Sequence, residues 1–390
     1  MKILFLGLFY DEEGLKQSYK DMKGVVQMAP HRFQTLLLQG LEENGAEVQA
    51  VHVMPSGSFP FHHKKLFIKD KRWGKENYRI GYVNLPVFKQ LTQEKKAYRA
   101  MKKALLSANP PDVIICYYLH MPFLKALNRI KKQFPQVKIV SLMTEAVPGR
   151  GDIVDTAKRK KLGDKMVSAC QKFDGFCLIT KHLVEPMEVG DRPYFVLEGL
   201  ADEKLPKALP AVDEGKNFLY TGSVHQTFNL DILVEAFSYL PEATLWLCGK
   251  MQAGDEMRAR IEATPNVRYL GYLPFEQVQE YRDGCRYLIN PRMPTGTYTK
   301  YTFPSKTMEY LVSGKPMVGY LLEGIGEEYY PYINALTGRE AKEIAEDLRD
   351  IMKKEYAELQ NKADEAREFL LREKTGESQA KKMMEFLQKL

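Results

Sequence analysis

A chain of 390 residues is long enough for two domains of ordinary size. Its apolar fraction of 44% and aromatic fraction of 11% are typical of a globular protein, and they exclude a disordered or fibrous chain. The net charge of +7 is unevenly spread: residues 1–200 hold 32 Lys and Arg against 20 Asp and Glu, and the remainder holds 25 against 30. This asymmetry predicts that the first half meets an anionic partner, although any single lysine cluster by itself indicates only a solvated face.

The beginning of the chain predicts a buried strand. Met1-Lys2 and the apolar residues 3–9 resemble the start of a signal peptide, but the run ends at Asp11-Glu12-Glu13 without a small-residue cleavage site. No stretch approaches the roughly 18 apolar residues that a membrane-spanning helix needs. The cysteines form no C-x-x-C pair, and three lie in apolar runs that favour buried thiols: Cys116, Cys177 and Cys248. A reducing, cytoplasmic location is therefore expected.

The first half alternates between strand and helix patterns. Apolar residues at helical spacing predict a helix at residues 32–43, which ends near Asn44-Gly45. The predicted strands are residues 3–9, 48–53, 112–117, 138–142, 175–179 and 194–197. This alternation is typical of a parallel sheet with crossover helices.

A second series of the same kind follows a linker. Residues 198–216 contain Gly199, Pro206, Pro210 and Gly215, and we interpret them as the linker. Beyond it, helices are expected at residues 231–239, 255–262, 275–283 and 303–312, and strands at 217–220, 243–247, 267–270, 287–290 and 317–321. The sequence predicts an α/β protein of two Rossmann-like domains, and ligands in such sheets bind beyond the carboxyl ends of the strands.

The segment at residues 300–316, K-Y-T-F-P-S-K-T-M-E-Y-L-V-S-G-K-P, predicts an anion site. Pro304 suits the first turn of a helix and Gly314 its end, so Ser305 and Lys306 fall at a helix N-terminus that follows a strand. Free N–H groups and the helix dipole favour anions there, and Lys306 adds a full charge. Arg292 and Lys300, in the preceding loop, are expected to reach the same point.

Glu309 stands one turn into the same predicted helix. No Ser or Thr occupies position 306, so a capping box does not explain this carboxylate. Beside a phosphate it would repel, but one turn away it suits the two neighbouring hydroxyls of a ribose.

The segment resembles the nucleotide-sugar site of GT-B glycosyltransferases of family four, which build bacterial surface polysaccharides. The likeness extends over most of the second half, through the turns at 220–223, 247–249 and 270–272, whereas the first half resembles the family only in layout. It implies two Rossmann-like domains that face a central cleft. These are residues 1–200 for the acceptor, residues 201–370 for the nucleotide-sugar, and residues 371–390 as a helix that packs back on the first domain.

The resemblance also implies roles for particular residues. It places the donor diphosphate at Gly222 and Ser223, the base at Tyr272 and the ribose at Glu309. The remaining donor-binding candidates are Gly249, Lys300, Tyr301, Ser305 and Thr307, and the catalytic candidates are Glu145, His120, Arg292 and Lys306. An ordinary βα turn would explain Gly222 equally well, and Tyr272 packs in the alternative interpretation.

Two departures from the family pattern stand out. Many members carry Arg and Lys in the loop after Gly222, but here residues 223–228 contain neither. Many also carry a second glutamate at the position of Tyr301. These differences leave a catalytically degenerate protein, or a nucleotide-sugar epimerase, as alternatives to a transferase.

The acceptor side is less clearly marked. Glu145 follows the strand at residues 138–142, and a cleft acid is implied there, although a surface carboxylate is nearly as good an interpretation. His120 ends another strand, where a lone histidine is more often structural.

Two basic segments stand in the first half. Residues 62–75 mix Lys, Arg and His with Phe67 and Trp73, and residues 158–161 are all basic. Such surfaces suit an anionic membrane and a lipid-linked acceptor, and no nucleic-acid motif accompanies them. We therefore expect a nucleotide-sugar donor and a glycan or lipid-linked acceptor as partners.

Neither a metal nor another cofactor is signalled, because the chain has no D-x-D motif. Charge on the leaving diphosphate is then expected to be met by the helix N-terminus with Arg292 and Lys306. The resemblance implies transfer with retention of the anomeric configuration, and UDP is the expected nucleotide.

Overall fold

The computed structural model of the protein describes residues 1–74, 76–151, 156–209, 215–225 and 228–390, and of Thr297 the backbone alone. Lys75 of the basic segment, Pro210 of the linker and Gln226-Thr227 of the loop after Gly222 lie outside the described residues. The chain divides into two compact units. Met1–Leu200 and Thr375–Leu390 form the N-terminal unit, and Ala201–Lys374 forms the C-terminal unit.

The N-terminal unit is built on a mainly parallel sheet. Its strands are β1 (Lys2–Leu8), β2 (Glu47–Val53), β3 (Phe67–Ile68), β4 (Lys71–Trp73), β5 (Asn77–Arg79), β6 (Tyr82–Val83), β7 (Val113–Tyr117), β8 (Lys138–Met143), β9 (Gly175–Leu178) and β10 (Tyr194–Val196). The order in the sheet is β10-β9-β8-β7-β1-β2-β5-β4, with β4 antiparallel to β5, and β3 pairs with β6 separately. The central strands are buried along almost their whole length, as expected for a parallel sheet covered on both faces.

Helices cover this sheet on its two faces. They are α1 (Glu12–Asp21), α2 (Met28–Glu43), α3 (Pro86–Leu105), α4 (Met121–Gln133) and α5 (Ala157–Ala169), with a 3₁₀ turn at Lys181–Leu183. The Asp11 side chain caps α1 by accepting from the N–H of Gly14 at 3.2 Å. The core combines side chains from β1, α2 and the strands β7 and β8.

The C-terminal unit has the strand order of a dinucleotide-binding fold. Its strands are β11 (Asn217–Thr221), β12 (Thr244–Cys248), β13 (Val267–Gly271), β14 (Tyr287–Asn290), β15 (Met317–Gly319) and β16 (Ile333–Ala335). They pair in parallel in the order β13-β12-β11-β14-β15-β16, which is the 3-2-1-4-5-6 order of Rossmann sheets. The order therefore reverses between β11 and β14.

The helices of this unit complete the α/β pattern. They are α6 (Leu230–Ser238), α7 (Asp255–Glu262), α8 (Phe275–Gly284), α9 (Ser305–Ser313), α10 (Ala341–Met352) and α11 (Tyr356–Glu373), with 3₁₀ helices at Thr297–Tyr301 and Glu327–Tyr332. The last helix of the chain, α12 (Gly376–Leu387), belongs to the N-terminal unit. It contributes Ala380, Met383 and Leu387 to the core cluster that contains β1 and α2.

The predicted α/β class and Rossmann-like layout are confirmed, and several boundaries are corrected. The helix expected from residue 303 begins at Ser305, because Pro304 has an extended backbone and stands at the N-cap. The linker is not a free segment over residues 201–209, since Ala208 is buried and its N–H donates to the carbonyl of Ser313 at 2.8 Å.

Helix α1 and the short strands β3 to β6 were absent from the sequence prediction. Their segments are short and rich in charge, so no hydrophobic period announces them. The cysteine prediction is confirmed: all five thiols are buried and unpaired. Within the described residues, no helix is long and apolar enough to cross a membrane.

Candidate functional site

Three glycines terminate neighbouring strands at the carboxyl edge of the C-terminal sheet. Gly222 follows β11, Gly249 follows β12, and Gly271 ends β13, with φ of +148°, +149° and +80°. The N–H of Gly222 donates to Cys248 at 2.7 Å, and that of Gly249 donates to Gly271 at 2.8 Å. A Cβ on Gly249 would lie 1.8 Å from the carbonyl oxygen of Gly222. At Gly222 and Gly249 both the backbone conformation and the close neighbours admit only glycine, whereas at Gly271 the positive φ alone favours it.

Helix α9 points its N-terminus at the same edge. Ser305 and Lys306 are its first two residues, so their N–H groups have no carbonyl acceptor within the helix. The N–H of Thr307 bonds Pro304 at 2.9 Å. Gly314 ends the helix in the left-handed region at φ +72°, as predicted. The structure thus places a helix N-terminus, an anion-favouring element, beside the glycines.

Lys306 joins the helix to the glycine edge. Its ammonium lies so close to Gly222 that a Cβ on that glycine would come within 2.3 Å of Nζ. Burial lowers the pKa of Lys306, while Glu309 and Cys248 act to raise it. Within the described part of the chain, Nζ has no hydrogen-bond or ion-pair partner, and it lies 5.6 Å from the centre of the Tyr220 ring. A desolvated charge without a counter-ion is a strong attractor for an anion.

Arg292 follows β14, on the other side of the point where the strand order reverses. Its guanidinium stacks on Tyr298 at 4.7 Å and donates to Thr302 Oγ1 at 3.2 Å. Burial lowers its pKa, and among the described residues its Nε has no hydrogen-bond partner. The charge of Arg292 acts to lower the pKa of Tyr220, so Arg292 lies in the neighbourhood of Lys306. Part of its hydrogen-bonding capacity is already taken up by Thr302.

Two of the predicted donor-site residues have other surroundings in the structure. Lys300 is directed to Glu323, 3.8 Å away, in a pair that is open to solvent. Thr307 is completely buried, and its hydroxyl has no hydrogen-bond partner among the described residues. A role for either residue in donor binding stays a prediction.

The remaining donor-side candidates differ in how far they are exposed to solvent. Glu309 is half-buried one turn after Lys306, on the same side of α9. Ser223 is half-buried, and its carbonyl accepts from the Tyr220 hydroxyl at 3.0 Å. Tyr272 follows the third glycine turn with 71% of its surface exposed, which leaves its ring open to stacking. Tyr301 is half-buried at the end of the 3₁₀ helix.

Tyrosines that sequence reasoning missed hold this edge together. The Tyr310 hydroxyl accepts from the N–H of Thr221 at 2.9 Å and so fixes α9 to the end of β11. Tyr220 is buried between its bond to Ser223 and the Lys306 ammonium. Their positions are visible in the sequence, but aromatic residues in buried elements usually only fill a core, so nothing marked them.

In the N-terminal unit, the two acceptor-side candidates differ. His120 Nε2 lies 3.0 Å from Gln93 Oε1, and its ring meets Phe123 edge-on at 5.1 Å. Burial lowers its pKa to about 3, so the ring is neutral and has a structural partner. Glu145 is exposed just beyond β8, and its charge acts to raise the pKa of Tyr117, which ends β7. Of the two, Glu145 is the one open to a substrate.

Over the described residues, no group of three or more His, Cys, Asp or Glu side chains is arranged to hold a metal ion. The expectation that the chemistry needs no metal stays a prediction.

Comparison with known proteins bears on the same region. Residues 215–354 match the family described as Glycosyl transferases group 1, a span that contains the glycine edge and α9. A Bacillus subtilis protein assigned as a glycosyltransferase of teichuronic acid biosynthesis is 22% identical over 205 residues, which are 49% of this chain and 51% of that protein. The match thus spans about half the length of this curated relative.

Solved structures match over nearly the whole chain. Sucrose-phosphate synthase from Thermosynechococcus elongatus aligns with a TM-score of 0.67 and 14% identity, over 100% of this chain and 98% of the other. A trehalose-6-phosphate structure from E. coli, bound with UDP-2-fluoro glucose, gives 0.65 and 10% over 100% and 99%.

The solved structures confirm the predicted fold, GT-B with two Rossmann-like domains. The degenerate protein and the epimerase are not favoured, since the relatives are described as glycosyltransferases and synthases.

Proposed function

We propose that this protein transfers a sugar from a nucleotide-sugar to a glycan or lipid-linked acceptor in polysaccharide or glycoconjugate biosynthesis, with retention at the anomeric carbon. A UDP-sugar is the first donor to test, because a structural neighbour was solved with UDP-2-fluoro glucose. The observation that carries the proposal is the Lys306 ammonium, which lies against Gly222 at the N-terminus of α9 and has no ion-pair partner among the described residues.

The donor diphosphate fits this edge by charge and by space. Bare backbone at Gly222 and Gly249 lets phosphate oxygens approach closely, and the first N–H groups of α9 can donate to them. As the glycosidic bond to the diphosphate breaks, negative charge grows on the leaving group. Lys306 and the helix N-terminus are already in position to stabilise that charge, without the cost of reorganising water. The Nε of Arg292, which has no hydrogen-bond partner among the described residues, is a further donor in the same neighbourhood.

The rest of the nucleotide follows along the same edge. Glu309, one turn into α9, is placed to accept hydrogen bonds from the ribose hydroxyls. Beyond the third glycine turn, the exposed ring of Tyr272 offers a surface for the base.

On the acceptor side, we propose Glu145 as the carboxylate that meets the acceptor. It is exposed at the carboxyl edge of the N-terminal sheet, beside the Tyr117 hydroxyl, which lies 3.0 Å from Thr144 Oγ1. The basic surface of the N-terminal unit would bring the enzyme to the cytoplasmic face of an anionic membrane, where a lipid-linked acceptor is met.

Calorimetric titration of the purified chain with UDP, GDP and ADP tests the donor site. We expect micromolar binding of one nucleotide, weakened at least about tenfold in Lys306→Met and in Glu309→Gln, because each removes one contact to the ligand. Lys300→Met is the matched control, since Lys300 is directed to Glu323; it should change affinity less than about twofold. Removing a half-buried charge that has no partner among the described residues should leave the melting temperature unchanged or raised.

Absence of binding to all three nucleotides would overturn the proposal. Equal losses in Lys306→Met and Lys300→Met would show that the effect is non-specific. Once the nucleotide is known, the anomeric configuration of the product, read by NMR, tests retention.

The pH dependence of binding gives a second test of Lys306. Burial holds the pKa of Lys306 below 10.5, and an anion binds the charged form. Affinity should therefore be full below that pKa and fall as pH rises through it. Lys306→Arg keeps its charge, so its affinity should stay level between pH 7 and 10 in the same titrations.

A further inference from the structure

A cavity of 410 Å³ in the N-terminal unit is lined mainly by residues of α1 and of the segment at residues 63–69. We call it the α1 cavity. Pockets for small ligands have volumes of about 300–1,000 Å³, so this one is large enough for a single sugar ring. Neither α1 nor the segment was among the elements that the sequence predicted. The α1 cavity is therefore formed by additions to the alternating strands and helices of this unit.

Hydrogen bonds fix both sides of the α1 cavity. Asp21 ends α1, and its carbonyl accepts from the N–H of Lys64 at 2.9 Å, which joins the helix to the segment. Fully buried Asn84 donates from its N–H to the carbonyl of Leu66 at 2.7 Å and from its side-chain amide to that of Lys65 at 3.3 Å. The protein itself thus holds the lining in place, which reduces the entropy cost of ordering a binding site.

Three buried polar side chains of the lining have hydrogen-bonding groups to offer a ligand. Ser18, Asp21 and His63 are 1%, 8% and 2% exposed. Among the described residues, the Ser18 hydroxyl and the Asp21 carboxylate have no hydrogen-bond or ion-pair partner. His63 Nδ1 accepts from the N–H of Lys65 at 2.9 Å, and burial lowers the pKa of the ring, so the neutral imidazole carries its proton on Nε2. A hydroxyl, a carboxylate and an N–H donor together suit the neighbouring hydroxyls of a saccharide, each of which donates and accepts.

The charges that line the α1 cavity do not balance. Arg79 Nη1 meets Asp11 at 2.7 Å, and Glu13 pairs with Lys71, so these two lining residues are neutralised by the protein. The carboxylate of Asp21 is a third charge in the lining. Three exposed lysines of the lining have no ion-pair partner in the part of the chain that the structure describes: Lys20, Lys65 and Lys69. An excess of cations around a cavity favours an anionic ligand.

An aromatic ring completes the lining. Phe67 is 65% exposed and contributes to the α1 cavity beside the buried polar groups. A pyranose ring has hydroxyls at its rim and C–H groups on its face, and the C–H face packs well on an aromatic ring. The combination of hydrogen-bonding groups, aromatic surface and positive charge therefore suits a sugar that carries a negative charge.

We infer that the α1 cavity binds one saccharide unit of the acceptor, a hexose that carries a carboxylate or a phosphate. The buried groups contact its hydroxyls, Phe67 contacts the face of its ring, and the lysines contact its charge. The inference rests on the proposed function and deepens it, because it names the class of acceptor that the enzyme recognises.

Ligand-observed NMR titration of the full chain tests the inference. The probes are the uronates and the 6-phosphates of glucose and galactose, the two neutral hexoses, and inorganic phosphate. We expect at least one charged sugar to bind with a Kd in the millimolar range or below, and the tighter kind identifies the charge as carboxylate or phosphate. The neutral hexoses and inorganic phosphate should bind at least about tenfold more weakly, because each lacks part of what the lining contacts.

A pair of substitutions assigns the binding to the α1 cavity. Lys65→Met with Lys69→Met should weaken binding of the charged sugar at least about tenfold, because two charge-assisted contacts are lost. Both side chains are exposed, so the chain should fold as before. The control pair is Lys172→Met with Lys181→Met, which removes the same charge from exposed lysines of this unit outside the lining. It should change the affinity less than about twofold.

Several results would overturn the assignment. These are no binding of any charged sugar, equal binding of a neutral hexose or of inorganic phosphate, or equal losses in the test and control pairs. Nucleotide titration on the same samples separates this inference from the donor site, which lies in the other unit. Nucleotide binding without binding of a charged sugar would overturn this inference alone, whereas loss of both would overturn the proposed function as well.

Discussion

The carboxyl edges of the two sheets differ in how their charges are balanced. In the C-terminal unit, the strands end in glycines beside Lys306, which has no ion-pair partner in the part of the chain that the structure describes, so the edge favours an anion that is not part of the chain. In the N-terminal unit, β1 leads to Asp11, whose carboxylate meets Arg79 Nη1 at 2.7 Å, with both side chains 4% exposed. There the charges satisfy one another.

This difference explains why one edge is recognisable in the sequence and the other is not. The N-terminus of α9 with Lys306 and Glu309 is written in one continuous segment, residues 304–309, although the glycines beside it come from residues 222, 249 and 271. At the carboxyl edge of the N-terminal sheet, the polar side chains contact one another, and they come from separate segments of the chain, at residues 11, 52 and 79.

The largest effect is expected from adding a side chain at the glycine edge. Gly249→Ala places a Cβ 1.8 Å from the Gly222 carbonyl oxygen at a φ of +149°, so the backbone must shift. We expect the free energy of unfolding to fall by about 3 kcal/mol or more, with nucleotide binding lost. Gly284→Ala is the control, because its Cβ meets only ordinary contacts at the end of α8; it should be neutral or slightly stabilising. Chemical denaturation of both variants measures the difference, and a neutral Gly249→Ala would contradict it.

The next test removes one partner of the buried pair in the N-terminal unit. Arg79→Met leaves the Asp11 carboxylate buried, with Lys71 at 3.4 Å as a remaining cationic neighbour and the imidazole of His52, whose pKa burial lowers to about 4, at 3.7 Å. Breaking such a pair costs about 3 kcal/mol of unfolding free energy. Burial now lowers the pKa of His52, and the loss of Arg79 should raise it, which NMR of the imidazole can follow. Lys96→Met breaks the more exposed pair with Asp70 and should cost less than about 1 kcal/mol.

The third test concerns His120, and the size of its effect depends on pH. Burial lowers its pKa to about 3, whereas the unfolded chain binds this proton near pH 6.5. Between these values the unfolded state binds more protons, so stability falls as the pH is lowered through that window. His120→Gln should flatten this fall by up to about 1.4 kcal/mol per pH unit, measured by denaturation at pH 4 to 7. Parallel curves for the two proteins would show that His120 is not responsible.

Much of the glycine edge and of the α9 N-terminus was predictable from local sequence. Gly314 as the end of α9, Lys306 near its beginning, and glycines after successive strands all follow from backbone preferences that depend on a few neighbouring residues. Pro304 was misplaced by one position, because proline is tolerated both at the N-cap and in the first turn. Lys300 and Thr307 were assigned to the site by proximity in sequence, but the direction of each side chain depends on what packs around it.

The insertion between β2 and α3 was not predictable in the same way. Phe61, Phe67 and Phe88 read as ordinary core residues in a sequence. Their exposure depends on Asn84, whose buried amide and backbone tie together three separate loops. No periodic pattern encodes such a connection.

The sequence by itself determined the α/β class, the two successive series of strands and helices, and the helix N-terminus with Lys306 and Glu309. These follow from hydrophobic period, helix-end chemistry and glycine placement, which act over a few residues. Only the tertiary structure decided that β11 and β14 are neighbours, that Lys306 is desolvated against Gly222, and that the aromatic insertion faces solvent. Strand order and burial are set by contacts between residues far apart in the chain, because every side chain competes with all others for the interior.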